Sequence, residues 1–139
     1  MAALPLLDTN PILRHLLDDH PEHSALAGTL FRAIESGSTR VQTTDTVVFE
    51  AAFTLERFYK VPRDTVRETL LALLELPAIM LPGKRRYRRV FDLWVKHPGL
   101  SFADCYHAAI VEQASLPGII TFDQGFDTIA GVRRLTPGE

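Results

Sequence analysis

A single cysteine, Cys105, stands in the 139 residues, so an intrachain disulfide is impossible. That agrees with a reducing compartment. No stretch approaches the roughly 18 apolar residues of a membrane span. Residues 1–7 lack the basic start and long apolar stretch of a secretory leader. A cytoplasmic protein without a membrane partner is the expectation. Charge of one sign is lacking too: the formal net charge is −2 at pH 7. Any grip on nucleic acid must therefore come from a local patch rather than from overall charge. His20, His23, His97 and His107 are scattered along the chain, which with one cysteine argues against a structural zinc site. Cys105 has no evident activating base, so a thiol nucleophile is not expected. No glycine-rich phosphate cradle, linker, repeat or low-complexity block is present.

What the chain does have is enough apolar material for a real core. Hydrophobic residues make up 46% of a length typical of one domain, so residues 1–139 are expected to form a single domain. Residues 4–7 read as a first, fully buried strand. Asn10 and Pro11 read as the N-cap and first position of a helix, with Ile12, Leu13, Leu16 and Leu17 at helical spacing. A second helix holds Ala25, Leu26, Leu30, Ala33 and Ile34 and ends near Gly37. Further strands are expected at residues 39–43, 78–81, 119–122 and 132–135. Helices are expected at residues 45–59, 62–77, 84–96 and 101–115, with a short turn or helix at 124–129. In the 84–96 segment Tyr87, Val90, Phe91 and Trp94 share one face. Strand and helix alternate, which predicts an α/β fold: a three-layer sandwich with a mostly parallel central sheet of four or five strands flanked by helices.

Four acids sit where such a fold would bring them together. Asp8 closes the apolar run at 4–7, and Asp123 closes the run at 118–122. Open parallel sheets place their ligand crevice at the carboxyl ends of strands. Glu50 interrupts the apolar segment 47–53 and borders the inner stripe of its helix. A plain alternative pairs it with Arg57. Asp104 lies three residues after Ser101, the spacing of a capping box, which by itself explains an acid there. Carboxylates crowded in one cleft repel unless a hard cation neutralises them. The set thus points to Mg2+ or Mn2+ and to phosphate chemistry. Thr9, Asn10 and Thr121 add neutral oxygens nearby, and Asp127 is a fifth acid suited to a water-mediated contact. Lys84, Arg85, Arg86, Arg88 and Arg89 form the one basic run. It reads either as a solvated helix face or as a grip on a phosphate backbone.

The chain resembles PIN-domain ribonucleases, and more narrowly the VapC toxins of bacterial toxin–antitoxin pairs. The likeness rests on Leu7-Asp8-Thr9-Asn10 with Arg14 and the segment 18–22. It continues in Val48-Phe49-Glu50-Ala51-Ala52-Phe53 with the residues to Arg57, and in 101–109 with Asp104. It ends in Thr121-Phe122-Asp123-Gln124-Gly125-Phe126-Asp127, Gly131 and Pro137. The resemblance implies a metal-dependent endoribonuclease with Asp8, Glu50, Asp104 and Asp123 as its acidic quartet and Asn10 and Thr121 as polar supports. It implies structured RNA such as tRNA or ribosomal RNA as substrate, a small VapB-like antitoxin partner, and a homodimer. Cys105 departs from the small residue frequent at its position. Two alternatives stand beside this: a non-catalytic RNA-binding or regulatory module, and an orphan RNA-processing nuclease with no antitoxin. A phospho-aspartyl mechanism at Asp8 is disfavoured because Asn10 stands where such enzymes carry a second acid.

Overall fold

Asp8 opens the first helix in the computed structural model, which describes residues 3–138. The chain divides into two compact units, Met1–Lys84 and Arg85–Glu139.

In the first unit, α1 spans Thr9–Leu17 with Asp8, not Asn10, as its N-cap. The Asp8 carboxylate accepts the Thr9 N–H at 2.8 Å. Pro11 then falls third in the helix, where its missing N–H costs nothing because first-turn donors have no helical acceptor. Asp18 ends α1 in the left-handed region, its N–H donating to the Arg14 carbonyl. α2 (Pro21–Ser36) begins with proline at its first position and stops at Gly37, whose φ of 83° suits a residue without Cβ. Ile12 and Leu13 of α1 and Ala27, Phe31 and Ile34 of α2 are buried.

The strands of this unit are short. β1 (Val41–Gln42) and β2 (Ile79–Met80) run parallel, with Val41 opposite Ile79. The expected strand at 4–7 reduces to one parallel bridge between Leu6 and Gln42. It is not fully buried: Leu7 is 4% exposed but Leu6 is 61% exposed, because alternate residues of extended chain face opposite ways. α3 (Asp45–Phe53) is capped by Thr44, whose hydroxyl accepts the Val47 N–H, and it runs on into a π-helical turn, Thr54–Phe58. The expected helix at 62–77 is α4 (Arg63–Val66), a second π-helical turn (Arg67–Leu71) and α5 (Ala72–Leu74).

The second unit is built on α6 (Arg86–Lys96) and α7 (Phe102–Gln113). The predicted stripe Tyr87, Val90, Phe91 and Trp94 is wholly buried. Phe102 of α7 sits among its rings, with centroids 6.2 Å from Tyr87, 5.0 Å from Phe91 and 5.2 Å from Trp94. The Tyr87 pair is stacked and the Phe91 and Trp94 pairs are edge-to-face; aromatic pairs of these kinds contribute about 0.5–1.5 kcal/mol each beyond their buried area. β3 (Ile119–Ile120) pairs parallel with β4 (Arg134–Leu135), with a 3₁₀ turn, Gln124–Thr128, between them. The run before Asp123 is not a buried strand. Ile120 and Phe122, two residues apart on one face, are 72% and 77% exposed, while Ile119 and Thr121 on the other face are half-buried.

The chain is thus α/β with parallel pairing. Among the described residues the ladders are two two-stranded sheets and one isolated bridge, which do not by themselves make the expected sheet of four or five strands. Each ladder is only two residues long, so apolar runs that read as strands mostly lie outside it.

His15 supplies a pH test of the first unit. Its ring stacks on Phe31 at 4.5 Å and is half-buried. Burial lowers its pKa from 6.5, helped by the Arg32 charge and opposed by Asp18 and Glu35. Below the ordinary histidine pKa the unfolded chain then binds more protons than the folded one, so stability falls as pH drops through that window. Urea midpoints taken from pH 7.5 to 5 are expected to fall less steeply for His15→Phe, which keeps the stack and loses the titration, than for wild type.

Candidate functional site

Asp8 and Glu50 lie in the first unit, Asp104 and Asp123 in the second. The backbone leading into Asp8 is pinned on both sides. The Leu7 N–H donates to the Gln42 carbonyl at 2.7 Å, and the buried Thr43 hydroxyl donates to the Leu7 carbonyl at 3.0 Å. With Oδ1 bound to Thr9 N, the exposed Asp8 side chain keeps its second oxygen for solvent or a ligand. Thr9 is 3% exposed, and its hydroxyl has no partner among the described residues. Asn10 is exposed on the first turn of α1.

Glu50 is exposed on α3, and its carboxylate has no hydrogen bond or ion pair among the described residues. The pairing with Arg57 does not form. Arg57 instead approaches its neighbour Glu56 at 3.6 Å, which also holds Arg63.

Asp104 completes a full capping box at the start of α7. The Ser101 hydroxyl accepts the Asp104 N–H, and the Asp104 carboxylate accepts the Ser101 N–H, both at 3.1 Å. Cys105 beside it is fully buried, which shields the thiol from oxidants. Asp123 caps the 3₁₀ turn: its Oδ1 accepts the Gly125 N–H at 2.8 Å, and its own N–H donates to the Thr121 hydroxyl at 3.0 Å. Thr121 thus touches the Asp123 main chain. Asp127 is held by Arg134, whose Nε donates at 3.1 Å, so it is an ion-paired residue of the turn.

The basic run divides by role. The Lys84 ammonium donates to the Leu76 and Ile79 carbonyls at 2.9 and 2.8 Å, and burial lowers its pKa. Arg86 donates to the Tyr106 hydroxyl and lies over that ring. Arg89 forms a two-pronged bond with Glu112, which holds its guanidinium charged. Arg85 and Arg88 are exposed.

Among the described residues, no three His, Cys, Asp or Glu side chains form a group able to hold a metal ion. What the predicted acids offer a hard divalent cation is donor chemistry. All four present carboxylate oxygens. Asp8, Asp104 and Asp123 each hold a main-chain donor with one oxygen and, among the described residues, leave the other unused. Sequence reasoning gave no role to Thr43 and Thr128, and took Gly125 only as part of the 121–127 motif; all three act on the backbone beside the carboxylates. Only Thr43 carried a signal, as a small polar residue ending a strand segment.

The chain belongs to the PIN domain family, which it matches over residues 6–132. Within that family it is similar to two curated relatives, the VapC ribonuclease Mb1869c of Mycobacterium bovis and Ribonuclease VapC13 of Mycobacterium tuberculosis. Each is 26% identical over 132 residues, covering 94% of this chain and 98% of the relative. No helix among the described residues is long and apolar enough to cross a membrane.

The capping box gives a local test. Ser101→Ala removes the acceptor for the Asp104 N–H and is expected to lower stability by about 0.5–1 kcal/mol, near the lower end for such caps because the site is exposed. Urea denaturation measures it, and an unchanged midpoint would deny Ser101 that role.

Proposed function

We propose that the chain is a Mg2+- or Mn2+-dependent endoribonuclease that cuts structured RNA such as tRNA or ribosomal RNA, and that it is the toxin of a toxin–antitoxin pair. The observation that carries this is the PIN domain match across residues 6–132, within which Asp8, Glu50, Asp104 and Asp123 all fall. Relatives named as VapC ribonucleases over almost their whole length support the nuclease reading and a VapB-like antitoxin partner. A homodimer, a cytoplasmic location, a single nuclease domain over residues 1–139 and a three-layer fold around one central sheet belong to the same proposal.

In this reading Asp8, Glu50, Asp104 and Asp123 hold the cation through carboxylate oxygens. The chemistry supplied by a bound divalent ion is activation of water and neutralisation of phosphate charge. The protein's own part is placement. Thr9 N–H, Ser101 N–H and Gly125 N–H each fix one carboxylate oxygen and leave its partner for the site. Thr9 and Asn10 stand beside Asp8, Thr121 supports the Asp123 main chain, and Asp127 remains at the rim through Arg134. Water attack leaves a 5′-phosphate and a 3′-hydroxyl. No histidine pair among the predicted site residues serves the alternative attack by the RNA's own 2′-hydroxyl.

Asn keeps the oxygen that accepts a capping N–H but loses the charge. Asp8→Asn and Asp104→Asn are therefore expected to fold normally and to cut total RNA no faster than a chelator-treated control. End mapping with and without Mg2+ reads the result, and near-normal cleavage by both variants would sink the assignment. The same assay separates the non-catalytic alternative, since an RNA-binding module shifts RNA without cutting it.

Lys84 spends its charge on carbonyls, and Arg89 spends its own on Glu112. Of the basic run, Arg85 is thus best suited to a phosphate backbone, with Arg88 and Arg86 beside it. Arg85→Glu is expected to weaken RNA binding and to reduce the slope of log affinity against log salt by about one. A slope identical to wild type would remove this residue from the RNA contact.

A further inference from the structure

We propose that Thr128, acting through Gly125, is a positioning residue that fixes the Asp123 carboxylate against the loop entering α7. The inference rests on the proposed role of Asp123 in holding a cation, and it extends that role to residues that carry no charge.

Every link lies in the second unit. The Thr128 hydroxyl donates to the Gly125 carbonyl at 2.7 Å. Thr128 Oγ1 also lies 3.4 Å from His97 Nδ1. His97 ends α6, and its carbonyl accepts the Leu100 N–H at 3.0 Å. Leu100 directly precedes Ser101, the N-cap of α7, whose N–H the Asp104 carboxylate holds. Thr128 therefore joins the turn after Asp123 to the loop before Asp104.

Gly125 is the narrow point of this chain. Its N–H donates to Asp123 Oδ1 at 2.8 Å. A Cβ added there would meet Leu100 Cδ2 at 2.8 Å and Asp123 Oδ1 at 3.0 Å. The leucine methyl ends a flexible side chain and can move aside. The carboxylate oxygen is bound to the very residue that would gain the methyl, so it is the group displaced. Glycine is needed here for a close approach, not for an unusual backbone angle. By holding the Gly125 carbonyl, Thr128 restricts the turn from which the Gly125 N–H reaches the Asp123 carboxylate. Residues standing behind metal ligands in this way typically change metal affinity or activity by 10–100-fold when altered.

The test is Mn2+ binding to the full chain, read from the electron paramagnetic resonance signal of free Mn2+, with thermal melts on the same samples. Wild type and Asp123→Asn set the two ends of the scale. Thr128→Val, which keeps the shape and loses the hydroxyl, and Gly125→Ala are expected to weaken Mn2+ binding about 10-fold. Thr128→Ser is expected to restore wild-type affinity. Wild-type affinity in Thr128→Val overturns the proposal, and so does a Thr128→Ser variant as weak as Thr128→Val. Should Thr128→Val fail to fold, Gly125→Ala decides, and undiminished affinity there overturns it. A wild-type chain that binds no Mn2+, or one matched by Asp123→Asn, fails at the cation site itself and takes this inference down with it. The latter result is distinguishable from a failure confined to Thr128.

Discussion

The organising constraint is that a carboxylate can hold a main-chain N–H with one oxygen and still present the other. Asp8 does this at the start of α1, Asp104 at the start of α7 and Asp123 at the start of the 3₁₀ turn. A helix start leaves donors without acceptors, and a short acidic side chain is among the best groups to satisfy them. The same bond fixes the rotamer of the acid. Three predicted site residues are therefore held by the punctuation of the fold. Local stability and candidate chemistry draw on the same atoms, which is why substitutions that keep an oxygen and remove a charge separate the two.

Each unit supplies its rigidity differently. In the second, the interlocked rings of Tyr87, Phe91, Trp94 and Phe102 fix α6 against α7. The caps of both helices then become reliable reference points for the loops beside them. In the first, the sheet contributes little backbone ladder. Placement of Asp8 depends on the Leu7 N–H and carbonyl, both bonded, and on the buried side of α1. The Arg14 guanidinium adds a cross-link from α1 to Tyr59, after the π-helical turn, and to Asp19. That explains why an arginine sits half-buried in an otherwise apolar stretch: its charge is matched by Asp19, and its two terminal nitrogens meet a carboxylate and a phenol.

Much of this was legible in the residues. The α6 stripe, the capping box at Ser101 and the glycine stop of α2 follow from periodicity and cap chemistry, and the structure has all of them. The misses have physical causes. Asn10-Pro11 looked like a cap and first position, but proline is tolerated anywhere in the first turn, so the stronger acceptor two residues earlier took the cap. Apolar runs at 4–7 and 118–122 looked like buried strands. Periodicity marks extended chain without saying which face is covered, and Leu6, Ile120 and Phe122 are exposed. The π-helical turns at Thr54–Phe58 and Arg67–Leu71 left no trace, since they keep the residue types of an α-helix. Lys84 looked like the first of five surface cations because the carbonyls it satisfies, those of Leu76 and Ile79, are backbone groups invisible to a charge pattern. Thr128 went unseen, and Gly125 was read only as part of the 121–127 motif, for a related reason: their contacts run through main-chain atoms.

Glu50 differs from the other three acids and shows what placement without a cap requires. It sits mid-helix, where backbone donors are already spent, so no main-chain N–H is free to hold it. Its nearest basic candidate, Arg57, has turned to Glu56, and the run from Val47 to Phe53 around it is otherwise uncharged. The carboxylate keeps both oxygens and the full rotamer freedom of an exposed glutamate. Ordering it costs side-chain entropy that the capped acids have already lost on folding. A longer side chain is what such a position needs, since a helix backbone cannot be brought to a ligand as a loop can. Glu50 is thus an acid that only a ligand can order, whereas Asp8, Asp104 and Asp123 are each ordered by the fold.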